Sequence, residues 1–191
     1  MAVRKRFFTS AIAKKIKQDL VNSNTDLDFI KTVAVGDLYL MPSPEELSHR
    51  DVALQYLPAI YIMPSDIFNS SVNQSKSISS QEYTFTIKCV HYYDINDTTD
   101  MMITALETAE LVAETLLEDK NFEDTTIVNA PKYIALKDKN DKVIGNIIAT
   151  EVGKISVNEL DTEFFKTLGV PVIISEIEYC VLFRSLHEKG A

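Results

Sequence analysis

The chain has 191 residues, 46% of them hydrophobic and 25% charged, which is the composition of a globular protein and excludes disorder as a whole-chain state. That length is read as a single domain, 1–191, with room for a proper core. A net charge of −9 argues against a sequence-specific nucleic-acid reader, and with no run of eighteen apolar residues a membrane partner is not expected either.

The charge is unevenly placed. Residues 1–20 carry Arg4, Lys5, Arg6, Lys14, Lys15 and Lys17 against Asp19, a balance of +5, so the remainder carries −14. Such a basic end suits an acidic neighbour or nucleic acid, or is simply a solvated helix face. The apolar stretch after Arg6 is short and interrupted by lysines, which predicts no secretory signal and synthesis in the cytoplasm.

In chain order, Phe8, Ile12, Ile16 and Leu20 recur at i, i+4, i+8 and i+12 and predict a helix over about 7–21, ended by Asn22-Ser23-Asn24. Residues 25–57 read as a connector with short elements, among them Val33-Ala34-Val35 and one or two helical turns between Glu45 and Gln55. Pro58 and Pro64 confine Ala59–Met63 to a strand of about five residues, because neither proline donates to a ladder.

Ser65 to Ser80 holds seven serines around Ile67, Phe68, Val72 and Ile78. So little apolar surface does not offset ordering entropy, and a long mobile loop or extended hairpin tip over 65–80 is predicted, one that orders on a partner or is plainly disordered. Gln81 to Tyr92 then alternates, with Tyr83, Phe85, Ile87, Cys89 and His91 on one face. At about 3.3 Å per residue that strand runs roughly 40 Å and is expected to outrun its own core.

A second helix is predicted over 100–118, opened by Asp97-Thr98-Thr99-Asp100. Its apolar stripe is Met102, Ala105, Leu106, Ala109, Val112, Ala113 and Leu116; Thr104, Glu107, Thr108, Glu110, Glu114 and Glu118 form a solvated face. The stretch 121–170 reads as a β-rich insertion. Within it Lys132–Leu136 and Val143–Ala149 form a hairpin with a charged tip, Ile155–Val157 suggests strand, and Asn158–Leu168 a short helix. Finally Val172–Phe183 alternates, with Ile173, Ile177, Tyr179, Val181 and Phe183 on one face. Together these predict an α+β layer: an antiparallel or mixed sheet with helices packed on one face.

No chemistry-bearing pattern emerges, so no catalytic residue, metal or cofactor is assigned. Five glycines form no phosphate loop, and His49, His91 and His187 are isolated from one another and from ligand-spaced partners. Cys89 and Cys180, each within an alternating strand, read as buried hydrophobes. His91 is expected to be a satisfied rim residue, since catalysis there requires partners that are not visible.

The order of elements, namely an N-terminal helix, the strand Leu57–Ile62, a long polar loop, the strand Tyr83–Val90, the helix 100–118 and the closing strand Glu178–Phe183, resembles the tail terminator (tail completion) proteins of tailed bacteriophages. The resemblance covers residues 7–21, 57–118 and 171–184 and rests on element order; 121–170 departs from it. It implies a tail-terminator-like fold and a structural virion protein at the tail–neck junction. There a homo-hexameric ring would cap the tail tube protein, end its polymerisation and face the head-side connector. On this reading Ile67, Phe68, Val72 and Ile78 in the serine-rich stretch, with Arg4, Lys5 and Arg6 at the basic end, are assembly contacts. The alternatives are a head-completion or connector protein of the neck and, from another class, a small cytoplasmic enzyme.

Overall fold

A computed structural model describes residues 8–22, 27–36, 55–68, 78–92, 98–117, 134–137, 142–158 and 172–186, with backbone alone at 66–68, 78–80, 98, 134, 158 and 185–186. The elements are α1 (Phe8–Asn22), β1 (Thr32–Val35), β2 (Ala59–Phe68), β3 (Ile78–Tyr92), α2 (Thr98–Leu117), β4 (Ile134–Lys137), β5 (Val143–Asn158) and β6 (Val172–Leu186). They make a six-stranded sheet in the order β1-β2-β3-β6-β5-β4. Every pairing is antiparallel except β1 with β2, so the sheet is mixed and the fold is α+β, as the periodicities predict.

The centre of the sheet is the β3–β6 ladder. It is paired without a break from Ile78↔Leu186 to Tyr92↔Val172. Period-two alternation puts Tyr83, Phe85, Ile87 and Cys89 of β3 and Ile177, Tyr179, Val181 and Phe183 of β6 on one face, all buried. The expected overhang of β3 is thus absent, because β6 matches it residue for residue.

Both helices lie against that face. Ile12, Ala13, Ile16 and Leu20 of α1 and Ala109, Val112 and Leu116 of α2 share one core with the strand residues. The Tyr179 hydroxyl donates to the carbonyl of Leu116 at 3.4 Å, and the rings of Phe8 and Phe183 lie 4.9 Å apart. α1 touches β1 and β4, the two outermost strands, so the sheet curls around it. Each fully buried Phe or Ile contributes about 1.5–3 kcal/mol of hydrophobic stabilisation.

Several expectations need correction. On α2, Leu106 faces solvent at 41% exposure and Thr108 is buried, its hydroxyl donating to the carbonyl of Thr104 at 2.8 Å. The buried residues are Ala105, Thr108, Ala109, Val112, Ala113 and Leu116, and a threonine that returns its hydroxyl to its own helix costs little there. β2 does not stop at Pro64. β1 ends at Val35↔Ile62, so among the described residues β2 has no ladder on that side beyond it for a proline to interrupt, and the register shifts between Pro64 and Asp66. The predicted loop 65–80 therefore loses both ends, residues 65–68 to β2 and 78–80 to β3; 69–77 lie outside the described residues. β5 runs unbroken through 151–158, and β4 and β5 extend the common sheet. The helical turns expected within 45–55 and 158–168 fall almost wholly outside the described residues, as does Glu118.

A second cluster, on the opposite face, was not anticipated. Leu57, Ala59, Tyr61, Val90, Val172 and Ile174 are buried there, so this end of the sheet is covered on both sides. The continuous apolar runs Ala59–Met63 and Val172–Ile174 are the sequence signal for it.

Two glycines are demanded by geometry. Gly36 closes β1 at φ 122°, in the left-handed region, while its N–H donates to the carbonyl of Ile62 at 3.0 Å. Gly145 lies beneath the ring of Phe183 and against the carbonyl of Arg184, and a methyl group there would overlap both. Gly145→Ala should therefore destabilise the fold by about 1–3 kcal/mol. The check is urea unfolding, in which the midpoint falls while the slope is unchanged.

Candidate assembly surface

Backbone pairing leaves two stretches of edge open. β1 covers β2 only from Ala59 to Ile62, so Met63–Phe68 pairs with β3 alone among the described residues. β4 covers β5 only from Val143 to Ile147, so among the described residues Ile148–Asn158 has β6 alone. Each open stretch presents N–H and C=O groups outward.

The two stretches sit at the same height. Phe68 pairs with Glu82, Glu82 with Leu182, and Leu182 with Ala149; Pro64 pairs with Phe85, Phe85 with Tyr179, and Tyr179 with Val152. Pro64–Phe68 and Ala149–Val152 thus flank the same four residues of β6, Tyr179 to Leu182, on opposite sides of the sheet. Their chain directions are antiparallel, since three antiparallel pairings separate them.

Neither edge is smooth. β5 shifts register between Ile147 and Ala149 and again between Val152 and Ile155, and carries exposed Glu151 and Lys154. β2 has Pro64 and its own bulge. Bulges, charge and proline are the devices that blunt sheet edges against indiscriminate pairing.

The predicted contact residues are only partly brought here. Ile67 and Phe68 end β2 and Ile78 begins β3, so these three lie at one end of the sheet. Val72, Arg4, Lys5 and Arg6 lie outside the described residues. Sequence reasoning missed the β5 edge, because two bulges break the alternation that would reveal a strand of that length.

The sheet face away from the helices is polar in its middle. Ser65 and Thr86 join their hydroxyls at 2.8 Å, and Lys88 pairs with Glu176 at 3.2 Å. Cys180 lies half-buried on that face, with Thr84 Oγ1 at 3.8 Å. Its thiol pKa is raised, first by burial and then by the carboxylates of Glu178, Glu82 and Glu151, with the Thr84 contact opposing. Cys89 is fully buried on the helix side, so the two thiols face opposite ways and both are free. Burial pushes the Cys89 thiol up to about 12, with the Ser175 hydroxyl opposing.

His91 is the unexpected residue. It is buried on the helix side of β3, not satisfied at a rim, and its Nε2 has no hydrogen-bond partner among the described residues. Ser175, the register partner of Cys89, is equally buried, and beyond that thiol its hydroxyl has no partner among the described residues. Among the described residues no three His, Cys, Asp or Glu side chains gather to hold a metal, and no helix is long and apolar enough to cross a membrane. No family model and no curated protein sequence matches the chain.

Burial lowers the His91 pKa from 6.5 to about 4. Within that window the unfolded chain takes up a proton that the folded chain refuses. Stability therefore falls as pH drops from about 6.5 to about 4, by about 3 kcal/mol in total, and this contribution levels off below. Denaturant unfolding at pH 7 and pH 4.5 should show His91→Leu losing much less stability on acidification than the parent chain. Equal losses in the two proteins would contradict the assignment.

Proposed function

We propose that the chain is a structural assembly protein that closes into a ring of its own copies and, as a virion component, caps the tail tube of a bacteriophage. In that role it would end tube polymerisation and offer its other face to the head-side neck. The observation that supports this reading is the pair of open edges at one height on opposite sides of the sheet. A ring requires heterologous contacts, one surface of each copy against a different surface of the next, related by a rotation that closes. Edges level with one another let the next copy join without a rise along the strand axis, which favours a closed ring over a climbing filament. Their opposed directions allow β5 of one copy to add to β2 of the next as an antiparallel neighbour.

The tail-terminator-like arrangement itself is supported by the helix, strand, strand, helix, strand order that the resemblance implied. The strands β1, β4 and β5 are additional to it, and β5 supplies one of the two edges the ring would use.

Negative-stain electron microscopy and solution mass provide the test. The purified chain, alone or added to polymerising tail-tube subunits, should form closed hexameric rings and yield tubes of bounded length. Phe68→Asp puts a charge at the position paired with Glu82, at the end of β2, and should reduce ring formation at least tenfold while leaving the thermal transition within a few degrees. A chain that stays monomeric in both settings and leaves tube length unbounded would overturn the reading.

A further inference from the structure

The solvent faces of the two helices carry opposite charge. On α1, Lys14, Lys17 and Val21 are exposed at i, i+3 and i+7, with Val21 at 59%. On α2, Ile103, Glu107, Glu110, Glu114 and Leu117 recur at i, i+4, i+7, i+11 and i+14, all exposed, with Ile103 at 48% and Leu117 at 47%. The result is one short basic row with an apolar end, and one acidic row with an apolar residue at each end.

Among the described residues these charges are not used within the subunit. Lys15 is the α1 lysine that is paired, with Asp19 one turn on. Lys14, Lys17, Glu107, Glu110 and Glu114 make no ion pair among the described residues. The helices do touch one another, but through other faces: their buried residues meet over the sheet while these rows point away from it.

We infer that the basic face of α1 docks on the acidic face of α2 of a second copy of this chain. The two rows could not serve a two-fold contact of like with like, since α2 on α2 would set Glu107, Glu110 and Glu114 against their own kind. Pairing α1 with α2 places Lys14 and Lys17 over Glu110 and Glu114 and brings Val21 to an apolar end of the acidic row. The contact is heterologous by construction.

The helix layer runs in the same sense as the strand edges. α1 packs mainly on β1 and β2, with a smaller contact to β4 where the sheet curls round, whereas α2 packs on β6, β5 and β3. A neighbour whose β5 side approaches the β2 side of this copy therefore brings its α2 towards this copy's α1. The inference rests on the ring reading for closure, but the helix contact is separable from it. Exposed ion pairs are individually weak and screened by salt, so the association is expected to be concentration-dependent and to weaken about tenfold or more between about 0.05 M and about 0.5 M NaCl.

Charge exchange tests it. One variant carries Lys14→Glu and Lys17→Glu, a second carries Glu110→Lys and Glu114→Lys, and circular dichroism confirms that each keeps its helices. Sedimentation of the wild-type chain at about 100 μM in low salt should show association. Each variant alone should associate at least tenfold more weakly, and an equimolar mixture should recover, because each then meets a helix of opposite sign. Association that survives both reversals, or a mixture that fails to recover, overturns the helix contact and leaves the ring open to the strand edges alone. Recovery in the form of dimers or open chains supports the helix contact and removes the ring. A wild-type chain that remains monomeric under these conditions overturns the inference.

Discussion

The continuous ladder between β3 and β6 is the constraint on which everything else depends. Two strands far apart in sequence are paired over their full described length, and that pairing fixes the height of every other residue in the sheet. It sets Phe85 beside Tyr179 and Ile87 beside Ile177, which builds the floor on which both helices rest. A slip of one residue would turn that floor to solvent and bring Thr84, Thr86, Lys88 and Glu178 beneath the helices. The buried aromatic and branched side chains therefore hold the register as firmly as the backbone bonds do.

With the register fixed, the short outer strands acquire meaning. β1 and β4 each cover only part of the longer strand beside them, and they cover different heights: Ala59–Ile62 on one side, Val143–Ile147 on the other. What is left uncovered overlaps at the level of Tyr179 to Leu182. Had β1 and β4 covered that level, the sheet would have no edge there to offer a neighbour. Among the described residues, the interest of the molecule thus lies in where its sheet stops, and the stopping points are set by strands of four residues each.

Much of this was legible in the chain. The alternation of Tyr83, Phe85, Ile87 and Cys89, and the helical recurrence of Ile12, Ile16 and Leu20, are local patterns that survive into the fold because the core faces only one side of each element. β5 was hidden in part because one bulge shifts the phase of alternation and the next shifts it back, so Val152 falls out of step with Ile147 while Ile155 returns to it. The exchange of Leu106 and Thr108 shows a different limit. Helix angle outranks side-chain polarity when the hydroxyl has its own backbone to bond, and composition alone reads the pair the wrong way round. The level alignment of the two edges was beyond sequence reasoning altogether, since it follows from three successive ladders and not from any segment.

An edge that is open and an edge that is adhesive are different things. The bulges of β5, the charges of Glu151 and Lys154, and Pro64 in β2 all reduce the chance that these strands pair with an arbitrary partner. A strand with two register shifts can add only to a neighbour that tolerates them, so whatever pairs here is selected by shape. Such selectivity costs affinity, because fewer backbone bonds form than a straight edge would allow. A weak edge contact must then be supplemented, and the oppositely charged helix faces lie in the layer directly above it. Two weak contacts of different physical origin, one from backbone pairing and one from screened charge, act together only when both geometries are met. In the proposed ring, that combination would keep single copies apart in dilute solution and favour closure where many copies are gathered in one plane.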